Sequence, residues 1–256
     1  MFLAIGFVII FSRPVKAAAN GVQLKANRTY TAYDVTGDGM KDKIRIRAAN
    51  QTDDEAYTSL TVSVNGKTAY RLKNTRFYNV IANIYTLKNG QPFLYLYAPA
   101  DNGDGPVCAL LKYTNGKFRK ALDFTEIMAG YGNHRIGEVT NLNGNKIVIT
   151  ESIVSYSLGI NAINFTYKYV NGKFVPTSRY GSYKEIYSTD GSSRYFTVNS
   201  DLPAYARPGA TAVNTTLKAG SLTKIIKCAL ISGKMYIQLE CDGEIYWIKA
   251  LENPPI

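Results

Sequence analysis

The sequence predicts an all-β protein, and hairpin signals carry the prediction. Asn-Gly dipeptides begin at positions 65, 89, 115, 143 and 171, and each lies between apolar or alternating runs. These dipeptides tolerate the positive φ angles that tight hairpins need. No long stretch with helical periodicity separates them, and Phe124–Ala129 is expected to form at most one short helical turn. The chain therefore reads as a series of short antiparallel strands.

An internal repeat organises these strands into units. Leu111–Phe118 (LKYTNGKF) closely matches Tyr167–Phe174 (YKYVNGKF), and Thr61–Lys67 (TVSVNGK) is a weaker copy. We therefore expect three units of four short strands between positions 31 and 180, each closing on an Asn-Gly-Lys turn. Repeats of this kind are typical of propeller blades, but three are too few for a closed propeller. An open, propeller-like stack of blade-like sheets or a sandwich is expected.

The N-terminal residues 1–19 are predicted to be a secretory signal. The apolar run Phe2–Phe11 is shorter than the ~20 residues that a membrane-spanning helix needs. Ala17 and Ala19 supply a cleavage site, although a buried core segment is the alternative. We expect a secreted or wall-associated protein with no membrane span after signal removal. Its predicted parts are an all-β repeat domain at 20–180, a polar linker at 181–200 and a C-terminal domain at 201–256.

The net charge and the cysteine content limit which partners and which type of source organism are expected. The formal net charge is +11, and removal of Arg13 and Lys16 with the signal leaves +9 (11 − 2). A basic exported protein is attracted to acidic polymers such as those of a bacterial wall, although unspecific attraction is the alternative. No nucleic-acid recognition motif is present, and nucleic acid is not expected as a partner. Three cysteines in an exported chain indicate a Gram-positive type, with a bridge between Cys228 and Cys241 left open.

One predicted strand separates its charges from its apolar residues. Ile44 and Ile46 alternate with Lys43, Arg45 and Arg47, so the cations share one face. Such a face is suited to an anionic polymer. The alternative is an ordinary solvated face or a protected edge strand.

A calcium-loop pattern opens the first unit. Asp34, Thr36, Asp38 and Asp42 occupy positions 1, 3, 5 and 9 of such a loop, and Met40 at position 7 offers its carbonyl. The pattern D-x-T-G-D-G-x-x-D before a strand resembles the calcium loops of FG-GAP and VCBS-type repeats. Asp101–Gly105 (DNGDG) is a degenerate echo of it. Arg45 stands where an EF-hand has its bidentate glutamate, so a single structural calcium site is expected, with a metal-free acidic turn as the alternative.

The C-terminal residues resemble a bacterial SH3-like cell-wall domain, a small β-barrel. The resemblance rests on Leu202–Gly209 (LPAYARPG), Thr216–Gly220 (TLKAG) and Ile245–Lys249 (IYWIK). It implies attachment to peptidoglycan, and the candidate contact residues are Tyr205, Arg207, Tyr236 and Trp247. For Trp247, a place in the barrel core is an equally good interpretation.

Three functions are compatible with these features. The leading hypothesis is a secreted, non-enzymatic protein that binds peptidoglycan, an anionic wall polymer or another glycan. The second is an enzyme on wall polymers that uses the carboxylates of Glu138 and Glu151, because a glycosidase needs such a pair. The third is a module that presents its many tyrosines to another exported protein.

Overall fold

The computed structural model describes residues 21–101, 105–127, 134–155, 159–187 and 194–250. The predicted signal at 1–19 and the middle of the Asp101–Gly105 echo lie outside these ranges. The described elements, in chain order, are β1 Val22–Leu24, β2 Thr29–Tyr33, β3 Asp42–Gln51, β4 Tyr57–Val64, β5 Lys67–Phe77, β6 Ile81–Thr86, β7 Pro92–Ala98, β8 Val107–Thr114, β9 Lys117–Asp123, α1 Phe124–Ile127, β10 His134–Asn143, β11 Lys146–Ser155, β12 Gly159–Val170, β13 Lys173–Pro176, β14 Tyr180–Tyr187, β15 Tyr195–Thr197, β16 Leu202–Ala204, β17 Thr215–Leu217, β18 Leu222–Ile231, β19 Lys234–Cys241 and β20 Glu244–Lys249.

The all-β prediction is confirmed, and the Asn-Gly turns lie where the strands reverse. The five dipeptides join β4 to β5, β6 to β7, β8 to β9, β10 to β11 and β12 to β13. At the turns that begin at Asn65, Asn115 and Asn171, both the asparagine and the glycine have positive φ. That conformation gives a turn whose twist matches the flanking strands.

Three antiparallel sheets form the body of the protein. The first sheet has the order β2-β3-β4-β5, and the central sheet has the order β1-β6-β7-β8-β9. The third sheet has nine strands: β10-β11-β12-β14-β18-β19-β20 form its path, while β13 pairs with β12 and β15 with β18. Each Asn-Gly-Lys turn therefore closes one of three consecutive four-stranded meanders, β2–β5, β6–β9 and β10–β13.

The central sheet is buried on both faces, and strand alternation decides which residues meet which neighbour. On β7, Leu94 and Leu96 pack in one core cluster with residues of the first sheet. Phe93 and Tyr95 on the same strand pack in a second cluster with residues of the third sheet. Because successive side chains of a strand point to opposite faces, an almost continuous apolar strand serves two interfaces at once. The three sheets thus stack in layers, with the central sheet between the other two.

The repeated turn motif places one aromatic pair at each interface. Tyr113 lies opposite Phe118 and packs against it, with 5.3 Å between ring centroids, at the interface with the first sheet. Tyr169 and Phe174 form the equivalent pair at the interface with the central sheet. In the first sheet, whose outward face is not covered by any described sheet, the corresponding pair is polar: Ser63 lies opposite Thr68. The residues at these two repeat positions are therefore aromatic where a described sheet covers them and polar in the first sheet.

The C-terminal region is integrated with the third sheet. Residues 181–200, expected to be a linker, instead contain most of β14 together with β15, and both strands hydrogen-bond to β18. The strands β16 and β17 form a separate two-stranded arm that an isolated bridge between Tyr205 and Trp247 joins to β20. Within the described ranges, none of these sheets closes into a barrel.

The cysteines do not pair. Cys108, Cys228 and Cys241 are free and buried. The register places Cys228 opposite Ile237, while Cys241 lies beside the β19–β20 turn, opposite Glu244. The proposed bridge between Cys228 and Cys241 is therefore not formed.

Candidate functional site

The predicted calcium loop connects β2 to β3 and is organised by a buried carboxylate. Asp42 is 1% exposed and accepts hydrogen bonds from the backbone N–H groups of Val35 (2.7 Å) and Thr36 (2.9 Å). The side-chain amide of Asn65 donates to Asp42 Oδ1 at 2.6 Å. These donors offset the cost of burying a carboxylate, so Asp42 fixes the loop against the sheet.

A second carboxylate faces the first across a hydroxyl. Asp34 accepts hydrogen bonds from the N–H groups of Gly37 (2.6 Å) and Gly39 (2.8 Å). Partial desolvation raises the pKa of Asp34, but the Gly39 and Gly37 N–H groups and the Thr36 hydroxyl together outweigh it and hold the pKa below its usual value. Thr36 Oγ1 lies 3.3 Å from one oxygen of Asp34 and 3.3 Å from one of Asp42. Three oxygens of the predicted ligand set therefore converge.

The remaining predicted ligands lie at the exposed side of the loop. Asp38 Oδ1 accepts a hydrogen bond from the Met40 N–H at 2.8 Å, and the Met40 side chain is 69% exposed. Among the described residues, no group of three or more His, Cys, Asp and Glu side chains is spaced to hold a metal. The oxygens of Asp34, Thr36 and Asp42 fit calcium chemistry, whereas coordination by Asp38 would require it to turn from its own backbone contact.

Asn65 also holds the predicted calcium loop in place, a role that the sequence analysis did not predict. Besides donating to Asp42, it accepts a hydrogen bond from the Lys43 N–H at 2.8 Å. It was assigned only to the β4–β5 turn, which lies more than twenty positions away along the chain. Its position in the first Asn-Gly turn was the available signal, because consecutive antiparallel strands usually lie side by side.

An open groove of about 440 Å³ borders the loop. Tyr33, Asp34 and Gly37 form one side, and the β6–β7 turn supplies residues 86 and 89–92 on the other. Its lining is mainly polar, so it suits hydroxyl and amide groups better than an apolar ligand.

The predicted C-terminal contact residues separate into a small core and one exposed cation. Tyr205, Tyr236 and Trp247 are 7%, 6% and 5% exposed and pack together with Ala229. Reciprocal backbone hydrogen bonds of 2.7 and 2.9 Å join Tyr205 to Trp247. The three rings therefore hold the arm on the sheet, and of the predicted set only Arg207 is exposed.

An exposed ring beside this core was not predicted. Tyr180 is 42% exposed, and its ring centroid lies 6.0 Å from that of Trp247. Lys227 Nζ is 4.6 Å and the Arg179 guanidinium carbon 5.9 Å from the Tyr180 ring centroid. Lys249 lies over the ring of the tyrosine that bridges to Trp247. We call Arg179, Tyr180, Lys227 and Lys249 the Tyr180 patch.

The predicted carboxylate pair does not converge. Glu138 lies opposite Thr150 in the β10–β11 ladder, whereas Glu151 lies opposite Gly137. These adjacent positions point to opposite faces of the third sheet. Glu138 is exposed and meets Lys184 at 3.4 Å, while Glu151 is completely buried. One substrate bond cannot lie between the two carboxylates, so this pair does not form a glycosidase site.

Comparison of the chain with protein-family models, with curated proteins and with solved structures finds no match in any of the three. In the part of the chain that the structure describes, no helix has the length and apolar character needed to cross a membrane.

Proposed function

We propose that this is an exported, non-enzymatic protein that binds the cell wall or a related glycan, with the loop at 34–42 as a structural calcium site. The Tyr180 patch is the observation that carries the proposal. Its half-exposed ring adjoins a tryptophan and is bordered by cations. An aromatic face packs against the C–H groups of a sugar ring, and neighbouring cations attract carboxylates or phosphates.

The composition of the patch favours a binding role over a purely structural one. Exposed aromatic residues near arginine are typical of contact surfaces, where they account for much of the binding energy. Tyr205, Tyr236 and Trp247 support the patch from beneath because they are packed and cannot move freely. In this proposal the C-terminal region serves as a platform for a ligand, which agrees with what its sequence resemblance to SH3-like wall domains implies.

Replacing Tyr180 with alanine tests the proposal. We expect the mature protein to sediment with purified peptidoglycan at low salt and the Tyr180→Ala variant to bind roughly tenfold more weakly. Tyr195→Ala is the matched control, because Tyr195 is also exposed and contacts Lys224 but is not part of the Tyr180 patch. Absence of binding by the unchanged protein, or an equal loss in both variants, would refute the proposed function.

Calcium is expected to stabilise the fold by mass action. At a hundredfold excess over Kd, a single site contributes about 2.7 kcal/mol, which corresponds to several degrees in melting temperature. Asp38→Asn tests the site, because an asparagine oxygen can keep the bond to the Met40 N–H while the charge is removed. The variant should melt like the unchanged protein in EGTA and gain less from millimolar calcium. Identical melting of the unchanged protein in calcium and EGTA would show that the loop is only a turn.

A further inference from the structure

The outward face of the first sheet carries a two-dimensional array of cations. Ile44, Ile46 and the other inward residues of β3 pack against the central sheet, so the alternate positions face outward. The array consists of Lys43, Arg45 and Arg47 on β3 and Arg71 and Lys73 on β5, and all five side chains are exposed. We call this set the first-sheet cationic face.

The strand register fixes the arrangement of these charges. Arg47, Thr61 and Arg71 lie in one row across β3, β4 and β5, while Ser63 lies opposite Arg45 and Ser59 opposite Lys73. Cations two positions apart on one strand are about 6.7 Å apart at the backbone, and β3 and β5 are separated by about 9.6 Å. The cations of β3 and those of β5 therefore form two parallel lines along the strands, and the hydroxyl groups of β4 lie between them.

No anionic side chain of the described residues pairs with this face. Within the described residues, none of the five cations forms an ion pair, and Arg71 only approaches the Thr68 hydroxyl at 3.4 Å. Asp42, at the start of β3, is buried, and the other acidic residues of this part of the chain lie in the connecting loops; of these, Asp54 pairs with Arg76 of β5. Five like charges on one small sheet repel one another, which costs stability unless an external anion is bound.

An uncovered sheet face must be polar, but this requirement alone does not explain why the first-sheet cationic face carries only positive charges. In the later units the equivalent face carries the pairs Tyr113–Phe118 and Tyr169–Phe174 and is covered by the preceding sheet. No described sheet covers the outward face of the first sheet, so polar residues are expected there. Mixed charges satisfy that requirement equally well. The outer face of the third sheet shows this alternative, since Glu138 pairs with Lys184 there.

We propose that the first-sheet cationic face binds an extended polyanion, namely a wall polymer with a phosphodiester or carboxylate in each repeat. The five cations and the β4 hydroxyl residues between them, Ser59, Thr61 and Ser63, include no aromatic ring on which a sugar ring or a nucleic-acid base could stack. Recognition here depends on charge spacing and on the central hydroxyl row. That the polyanion belongs to the wall rests on the proposed function; the Tyr180 patch is a separate surface.

Salt-dependent binding of the mature full-length protein to poly(glycerol phosphate) tests the inference. Arg45→Gln with Arg47→Gln should weaken binding roughly tenfold and make it less dependent on salt, because fewer counterions are released. Arg71→Gln with Lys73→Gln, on the other strand of the array, should act similarly. Lys146→Gln with Lys168→Gln is the matched control, since these exposed lysines lie opposite each other in the third sheet.

Each outcome decides the inference. Loss in both first-sheet variants but not in the control supports it. An equal loss in the control would show unspecific attraction, and unchanged binding in the first-sheet variants would also overturn the inference. Equally tight binding of a single-stranded oligothymidylate would assign the face to nucleic acid instead. Binding to peptidoglycan stripped of anionic polymers separates the two proposals. If this binding is weakened by Tyr180→Ala but not by the first-sheet variants, it supports the proposed function, whether or not the first-sheet cationic face binds a polyanion.

Discussion

Replacing Phe93 with alanine is expected to lower the free energy of unfolding by about 3–5 kcal/mol. Phe93 is 1% exposed on the central strand β7. Its ring centroid lies 4.9 Å from that of Tyr169 and 5.0 Å from that of Phe174, both in the third sheet. The substitution thus removes an aromatic side chain shared by two layers and leaves a cavity that the rigid sheets cannot fill.

Denaturant unfolding of the variant measures this effect. Val170→Ala serves as a control, because Val170 is 38% exposed at the end of β12 and its replacement should change stability by about 0.5 kcal/mol or less. A loss of less than about 1 kcal/mol in Phe93→Ala would contradict close packing between the central and third sheets.

The second large effect is expected from Glu151, which should make the free energy of unfolding fall as pH rises. Both carboxyl oxygens of Glu151 are buried and accept no hydrogen bond from any described residue. Burial, and secondarily the charge of Asp123, raise its pKa well above the usual glutamate value. The folded state therefore keeps a proton that the unfolded chain releases above its ordinary pKa. Between those two pKa values, each pH unit costs the folded state about 1.4 kcal/mol.

The surroundings of Glu151 contain no described cation that contacts it. Gly137 lies opposite it on β10, and a methyl group at Gly137 would overlap both Phe124 and a Glu151 oxygen. From the central sheet, Cys108 and Asp123 interact with it electrostatically. Within the third sheet, the Glu151 charge raises the pKa of Tyr167 in addition to the larger effect of burial. Asp123 itself forms an ion pair with Lys120.

Glu151→Gln removes the ionisable proton with little change of shape. Unfolding measured between pH 5 and pH 8 should show a falling stability in the unchanged protein and a flatter profile in the variant. Glu138→Gln is the matched control from the same hairpin, and its profile should follow the unchanged protein because Glu138 is exposed. Equal pH profiles in Glu151→Gln and the unchanged protein would contradict a buried, protonated Glu151.

Local turn chemistry made most of the fold predictable. The Asn-Gly pairs mark the hairpins because positive φ is required there, and the repeated NGKF motif marks equivalent strands. The order in which the three sheets stack was harder to predict from the sequence. An apolar strand such as Pro92–Ala98 shows that both faces are buried but not which sheet covers each face. The role of residues 181–200 was missed because their polar composition resembles a linker, although β14 pairs with both β12 and β18, and β15 pairs with β18.

The candidate sites were predicted less completely, since they depend on contacts between distant residues. The loop ligands could be identified from spacing within one segment, whereas Asn65 and Tyr180 required knowledge of neighbouring strands. Glu138 and Glu151 looked like a pair in sequence, but the register places them on opposite faces. The cationic alternation of β3 was visible, while its extension by Arg71 and Lys73 became apparent only from the alignment of β4 with β5.

Lysine footprinting in the presence of an anionic wall polymer tests most directly whether the first-sheet cationic face is a binding surface. Chemical acylation followed by mass spectrometry would report each lysine separately. Lys43 and Lys73 should be protected by poly(glycerol phosphate) at moderate salt, while Lys146 and Lys168 should remain reactive. Equal protection of all four lysines, or protection of the third-sheet pair alone, would contradict the assignment of the first-sheet cationic face.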